Sequence, residues 1–166
     1  MSVAPPAGTA GFQAQDDCHQ QILEHLSTLS ALTQHIESAG VDAWAQQQAG
    51  AVEAFFSGTS RQHHLDEEKN VFPPLLAGSD AELAGLVRVL QQDHGWIEEN
   101  WLELAPQLRA IASGNNWIDS AEFQHNAEVF LALCRGHIEL EETVIYPEAR
   151  ALKARALASK VSRAAL

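Results

Sequence analysis

The chain has 166 residues, 46% of them hydrophobic, which suits a single domain with one sizeable core. Its formal net charge of −12 excludes the basic surface that nucleic acid or an anionic membrane would require. No run approaches the roughly 18 apolar residues of a membrane span, and two cysteines in no CxxC pattern make no disulfide framework. The opening MSVAPPAGTAGFQAQ has neither the charged nor the apolar region of a signal peptide, so the chain reads as soluble and cytoplasmic, a monomer or a homodimer.

In chain order, residues 1–13 are rich in Pro, Gly and Ala and read as a disordered segment. A helical domain is expected over 14–150. Its first helix runs from about Asp16 to Ala39, with Gly40 as the stop and an inner stripe of His19, Ile22, Leu26, Leu29 and Ile36. The second starts near the N-cap Asp42 and ends before Pro73-Pro74, weakened at Gly50 and Gly58. Its stripe is Val52, Phe56, Thr59, His63, Glu67 and Val71. A capping box, Ser79 to Glu82, opens the third helix, whose stripe passes through Leu83, Val87, Leu90, His94, Ile97, Trp101, Leu104 and Leu108, with a kink expected at Pro106. After a loop at residues 113–116, Asp119 and Glu122 cap the fourth helix, with the stripe Phe123, Ala127, Phe130, Cys134, His137 and Glu141. Pro147 ends or bends it. A short basic helix over 151–166 completes an all-α, up-down-up-down four-helix bundle.

Each inner stripe carries a histidine and two carry a glutamate, groups that a core excludes unless they are paired or bound to metal. The chain is also duplicated. The stretch from His63 to Pro73 matches that from His137 to Pro147 as H-x-x-x-E-E-x-x-aliphatic-(Phe/Tyr)-Pro, at an offset of 74 residues. Upstream, His19-x-x-Ile22 matches His94-x-x-Ile97 at an offset of 75. Each half therefore offers one histidine on its first helix and an H-x-x-x-E pair on its second.

Four residues along a helix turn through about 400°, so the His and Glu of each pair lie about 40° apart and roughly 6 Å along one face. Both can converge on one ion, and two such helices supply two carboxylates able to bridge two ions. Four imidazoles with two carboxylates suit iron, manganese or zinc, and the lack of cysteine ligands argues against an iron–sulfur cluster.

Taken together, these motifs resemble the hemerythrin-like (HHE cation-binding) domains over about residues 14–150. The resemblance implies a non-haem centre of two iron ions with an oxo or hydroxo bridge. His19, His63, His94 and His137 would be its terminal ligands, and Glu67 and Glu141 its bridging carboxylates. Oxygen-carrying members place a second histidine four residues after that of the third helix; here Glu98 holds that place, and the last pair is His137-x-x-x-Glu141 rather than HxxxxD. The set is more similar to bacterial members tied to nitric oxide or peroxide. Two octahedral ions have about twelve positions, of which these ligands and one bridging oxygen fill about ten. About two remain for O₂, nitric oxide, peroxide, water or Glu98, whose alternative is a solvated place beside Glu99. The implied role is binding or sensing of such a ligand or handling of iron. A di-iron enzyme reducing peroxide or nitric oxide, or oxidising a small molecule, is the alternative, and a structural zinc or metal-free bundle a third reading.

The remaining candidates read more plainly. His25, His35, His64 and His125 fall outside the matched motifs and are expected at the surface or in ordinary hydrogen bonds. Cys134, one turn before His137, is a candidate lining residue, whereas Cys18 is expected at the periphery. Phe56, Trp96, Trp101 and Phe130 are read as core. Residues 150–166 carry a charge of +5 against −17 for the rest, so the last helix is solvated or a contact surface.

Overall fold

The computed structural model describes residues 7–165, all in helices or short connections, with no strand among them. Helix α1 (Ala7–Ala39), α2 (Ala43–Ser57), α5 (Ala81–Ala112) and α6 (Ser120–Leu140) form the bundle, each packing on two neighbours in the ring α1–α2–α5–α6. Short α3 (Thr59–Asp66) and α4 (Phe72–Leu76) prolong α2, and α7 (Tyr146–Ala164) prolongs α6. The four-helix bundle with a further C-terminal helix is thus the observed architecture.

Local chemistry sets the ends. Gly40 adopts φ +76°, the left-handed conformation that glycine enters without a Cβ clash, and its N–H returns to the Ile36 carbonyl. Asp42 caps α2 by accepting from the Ala45 N–H at 2.9 Å. Asp119 caps α6 by accepting from both Ala121 and Glu122. At α5 the cap is Asp80, one residue later than the expected Ser79, because its carboxylate accepts from the Leu83 N–H. Helix α5 then continues unbroken through Pro106.

Three boundaries differ more. Helix α1 begins at Ala7 rather than Asp16; of the segment expected to be disordered, residues 1–6 lie outside the described residues. The early start has a packing reason: the Phe12 ring meets Tyr146 edge-on at 6.2 Å beneath the Arg150 guanidinium, which also pairs with Asp16. The second long helix breaks at Gly58 (φ −117°, ψ −86°), while Gly50 is passed without a break. Nor does that helix end before Pro73. It widens into a π-turn over Glu67–Val71 and runs on to Leu76, and α6 does the same over Glu141–Ile145 before continuing as α7. A proline ring has no N–H and crowds the carbonyl four residues back; a turn closed by a five-residue step relieves both. Helix α7 consequently has 19 residues, longer than expected, and is exposed beyond Leu152.

Two apolar clusters fill the bundle. The larger holds Leu26, Leu29, Leu32, Phe56, Trp101, Leu104, Phe123 and Phe130, and the smaller holds Val71, Phe72, Leu75, Val87, Leu90, Ile145 and Tyr146. His94 falls between Leu90 of the smaller and Ile97 of the larger, and His137 and Glu141 fall between Cys134 and Ile145, so a polar layer separates them. Trp101 is 2% exposed, packs on Phe56 and Phe130, and donates its indole N–H to Ser57. Trp96, expected in the core, is instead 49% exposed. In urea denaturation of the metal-free protein, Trp101→Ala should cost about 3–5 kcal/mol. Trp96→Ala should stay within about 0.5 kcal/mol of the parent; a comparable loss from both would contradict this core.

Candidate metal centre

The six residues expected as ligands meet in the polar layer, and all are buried. Helix α1 brings His19, α3 and its π-turn bring His63 and Glu67, α5 brings His94, and α6 with its π-turn brings His137 and Glu141. The two carboxylates span the layer. Glu67 Oε1 lies 3.1 Å from His63 Nε2, and its Oε2 lies 3.3 Å from His94 Nε2. Glu141 Oε2 lies 3.0 Å from His19 Nε2, and its Oε1 lies 2.9 Å from His137 Nε2. Each glutamate therefore offers one oxygen to each half of the site.

Hydrogen bonding alone does not account for this. His63 Nε2, Glu67 Oε2 and both Glu141 oxygens are buried without a hydrogen-bond partner, although other polar atoms lie close by. His94 Nε2 and His137 Nε2 face each other at 3.1 Å. Two donors about 2.1 Å from one ion and at right angles stand about 3.0 Å apart. The spacings match that figure, and four of the unpartnered atoms, His63 Nε2, Glu67 Oε2 and both Glu141 oxygens, are ones that would bind; His137 Nδ1 and Gln15 Oε1 are without a partner as well. Among the described residues, two clusters have ligand atoms within 4.8 Å of one another: His19, His63, Glu67 and Glu141, and His64, Glu67, His94 and His137. The donor set suits metal binding, and Glu67 belongs to both clusters.

Two of the outward nitrogens are held as well. His94 Nδ1–H donates to Glu68 at 2.8 Å and His19 Nδ1–H to Glu142 at 3.2 Å, while Asp93 stands 3.5 Å from His137 Nδ1. Such partners fix the tautomer and leave Nε2 free to face inward. Glu68 and Glu142 occupy the second Glu of each H-x-x-x-E-E motif; their repetition was the signal for a role that the spacing argument did not assign.

Burial opposes charge on His19, yet hydrogen bonds to Glu141 and Glu67 raise its pKa to about 10. His137 is likewise raised to about 9 against burial, by Asp93 and Glu141. Glu67, despite burial, is held well below the usual carboxylate range by His19, His63 and His94. The buried carboxylates thus demand positive charge, from protons or from metal.

Other candidates fall elsewhere. Glu98 takes a two-pronged ion pair from Arg61, at 2.8–3.1 Å, and does not join the buried cluster. The strong guanidinium–carboxylate pair wins over a place beside Ile97. His25 stacks on Phe55 and donates to the Gln21 carbonyl, His35 pairs with Asp42, and His125 is exposed. Cys134 lies in the larger apolar cluster, where burial raises its thiol pKa. Cys18 is half-buried, its thiol pushed up to about 11 by burial and by Glu67 and Asp66. It lines a cleft of about 360 Å³ that reaches His63 beside Gly58.

Two site residues escaped the sequence reading. His64 is half-buried against the layer: its ring stacks on His94 at 4.2 Å and meets His137 edge-on, and burial, then His94, holds its pKa well below the usual value. Tyr146 donates its buried hydroxyl to Glu67, and its ring lies parallel to His19 at 4.9 Å. Both were visible as breaks in the repeat, His64 opposite Ile138 and Tyr146 opposite Phe72.

The model of the Hemerythrin HHE cation binding domain matches residues 10–149. A Haemophilus influenzae protein described as uncharacterized is 28% identical over 126 residues, which cover 75% of this chain and 70% of that protein.

Because folding raises the pKa of His19 and His137 above the ordinary 6.5, their contribution to stability is full below about pH 6.5. It fades as pH rises through about 9 and 10. The melting temperature of the metal-free protein should therefore fall steadily from pH 7 to pH 10, and a flat profile would contradict the paired imidazoles.

Proposed function

The chain belongs to the hemerythrin HHE cation-binding family, and from that premise we propose that it holds two iron ions through His19, His63, His94, His137, Glu67 and Glu141. The observation that carries the reading is the division of each carboxylate between the two halves, Glu67 and Glu141 each turning one oxygen to either side. Bridging of that kind holds two cations close together, and the mixture of imidazole and carboxylate suits iron, with manganese or zinc as competitors.

The proposed role is to bind or sense a small ligand, O₂, nitric oxide or peroxide, at the coordination positions that the protein leaves free. Handling of iron is the companion reading. The fifth histidine of the oxygen carriers' third helix is replaced by Glu98, which Arg61 holds outside the layer, so the site is not a copy of the carrier's. One observation favours catalysis as a second reading. The Tyr146 hydroxyl, 3.2 Å from His19 Nε2 and bonded to Glu67, is a hydrogen-bond donor beside the His19 half, able to orient a reacting ligand.

Metal content and reactivity test both readings. Loaded with ferrous iron under anaerobic conditions, the protein should hold about two ions per chain, and fewer than about 1.5 would sink the dinuclear site. Glu67→Ala and Glu141→Ala should each lose most of that metal, whereas His25→Ala should keep it; equal losses would refute the ligand assignment. A stable, reversible spectral change with O₂ or nitric oxide supports binding or sensing. Turnover of excess peroxide or nitric oxide with an added reductant supports the enzyme.

A further inference from the structure

The duplication pairs residues 63–73 with residues 137–147 one by one, so positions where the halves differ mark where the two metal positions differ. The clearest is position 64. In the second half, His137 and Glu141 form one pair at i,i+4, and the residue between them in register is Ile138, which is buried in the larger apolar cluster. In the first half Glu67 has two histidine neighbours on its helix: His63 at i,i+4 and His64 at i,i+3. Both spacings place side chains on a shared helix face.

Adjacent helical residues point about 100° apart, so His63 and His64 cannot readily serve the same ion. The structure uses that divergence. His63 Nε2 joins the His19 half, with its ring 4.9 Å from that of His19. His64 crosses to the other half, stacked on His94 and edge-on to His137, at centroid distances of 4.2 and 5.5 Å. A ring nitrogen of His64 lies within 4.8 Å of the ligand atoms of Glu67, His94 and His137. Ligands on opposite sides of one octahedral ion stand about 4.2 Å apart, so a small side-chain adjustment brings the third imidazole into the same coordination sphere.

We propose that His64 is a metal ligand of the His94–His137 half, which makes the two metal positions chemically unequal: three imidazoles at one and two at the other. The proposal rests on the two-metal reading above. Its consequence is an order of loading. The three-imidazole position binds its ion first and more tightly, and the His19–His63 position fills second.

Stepwise anaerobic titration with ferrous iron, followed by Mössbauer spectroscopy of the loaded protein, tests this in the wild type, His64→Ala and His64→Gln. The wild type should take up iron in two resolved steps and give two distinct iron environments of equal area. In His64→Ala the first step should weaken at least about tenfold, the loss expected for even an outer partner of a metal ligand. One of the two environments should shift, and millimolar imidazole should return it towards the wild-type parameters. Unchanged affinity and spectra in a His64→Ala protein that folds and binds two ions would overturn the assignment while leaving the dinuclear site intact. Wild-type protein that binds fewer than about 1.5 ions would instead remove the reading beneath it. Should His64→Ala fail to fold, judged by the helical circular dichroism of the metal-free protein, His64→Gln and the wild-type spectrum decide. A single iron environment in the wild type overturns the inequality on its own.

Discussion

Glu67 and Glu141 lie wholly buried at the middle of a bundle whose two ends are filled by apolar side chains. Desolvating a carboxylate costs several kcal/mol, and this cost returns only if positive charge or good hydrogen bonds meet it in place. The surroundings make the demand larger, because Glu68, Glu142 and Asp93 stand behind the imidazoles and add negative charge there. Protons on His19 and His137 meet part of it. The carboxylate oxygens that lack partners are left with the geometry of ligands rather than of hydrogen-bond acceptors. The layer divides the core in two, so packing at both ends holds the charge in position.

Duplication is an economical answer to that constraint. One helix pair can present a histidine from its first helix and a His–Glu pair from its second, but it cannot surround a carboxylate. Two pairs facing each other can, and each glutamate then reaches across the pseudo-symmetry axis. The same symmetry repeats the outer partners, with Glu68 behind His94 and Glu142 behind His19, each supplied by the opposite half. An imidazole held on its outer nitrogen by one half thus presents its inner nitrogen to the carboxylates of both.

Much of this was legible because it is periodic. The inner stripes of all four helices, with a histidine on each, follow from the 3.6-residue repeat, and the exact recurrence of H-x-x-x-E-E-x-x-aliphatic-(Phe/Tyr)-Pro identifies the two halves before any coordinates. What escaped depends on contacts between distant segments. The helical start at Ala7 needs Tyr146 and Arg150, more than 130 residues away in sequence, to cover Phe12. Glu98 was balanced between ligand and surface until Arg61, 37 residues earlier, claimed it. His64 was set aside for falling outside the matched motifs, and it points about 100° away from His63 around the helix. That angle keeps it from the His19–His63 cluster and turns its ring onto His94 and His137.

The prolines show the same limit from the opposite direction. Pro73 and Pro147 were rightly read as obstacles to an α-helix, but the chain has an alternative to stopping. By widening into π-turns at Glu67 and Glu141, both helices pass the obstacle and carry one more turn under the polar layer. That turn bears the aromatic residue before each proline. Phe72 stacks on His94 at 5.6 Å and Tyr146 on His19 at 4.9 Å, closing the layer from below on both sides. Beneath those rings both imidazoles are buried, so water screens their charges little. The wide turns begin at the two glutamates themselves, so the feature that lets the helix continue also sets the backbone from which the shared carboxylates project. The sequence motif therefore works as one unit: the His–Glu pair, the wide turn, the aromatic floor and the proline behind it.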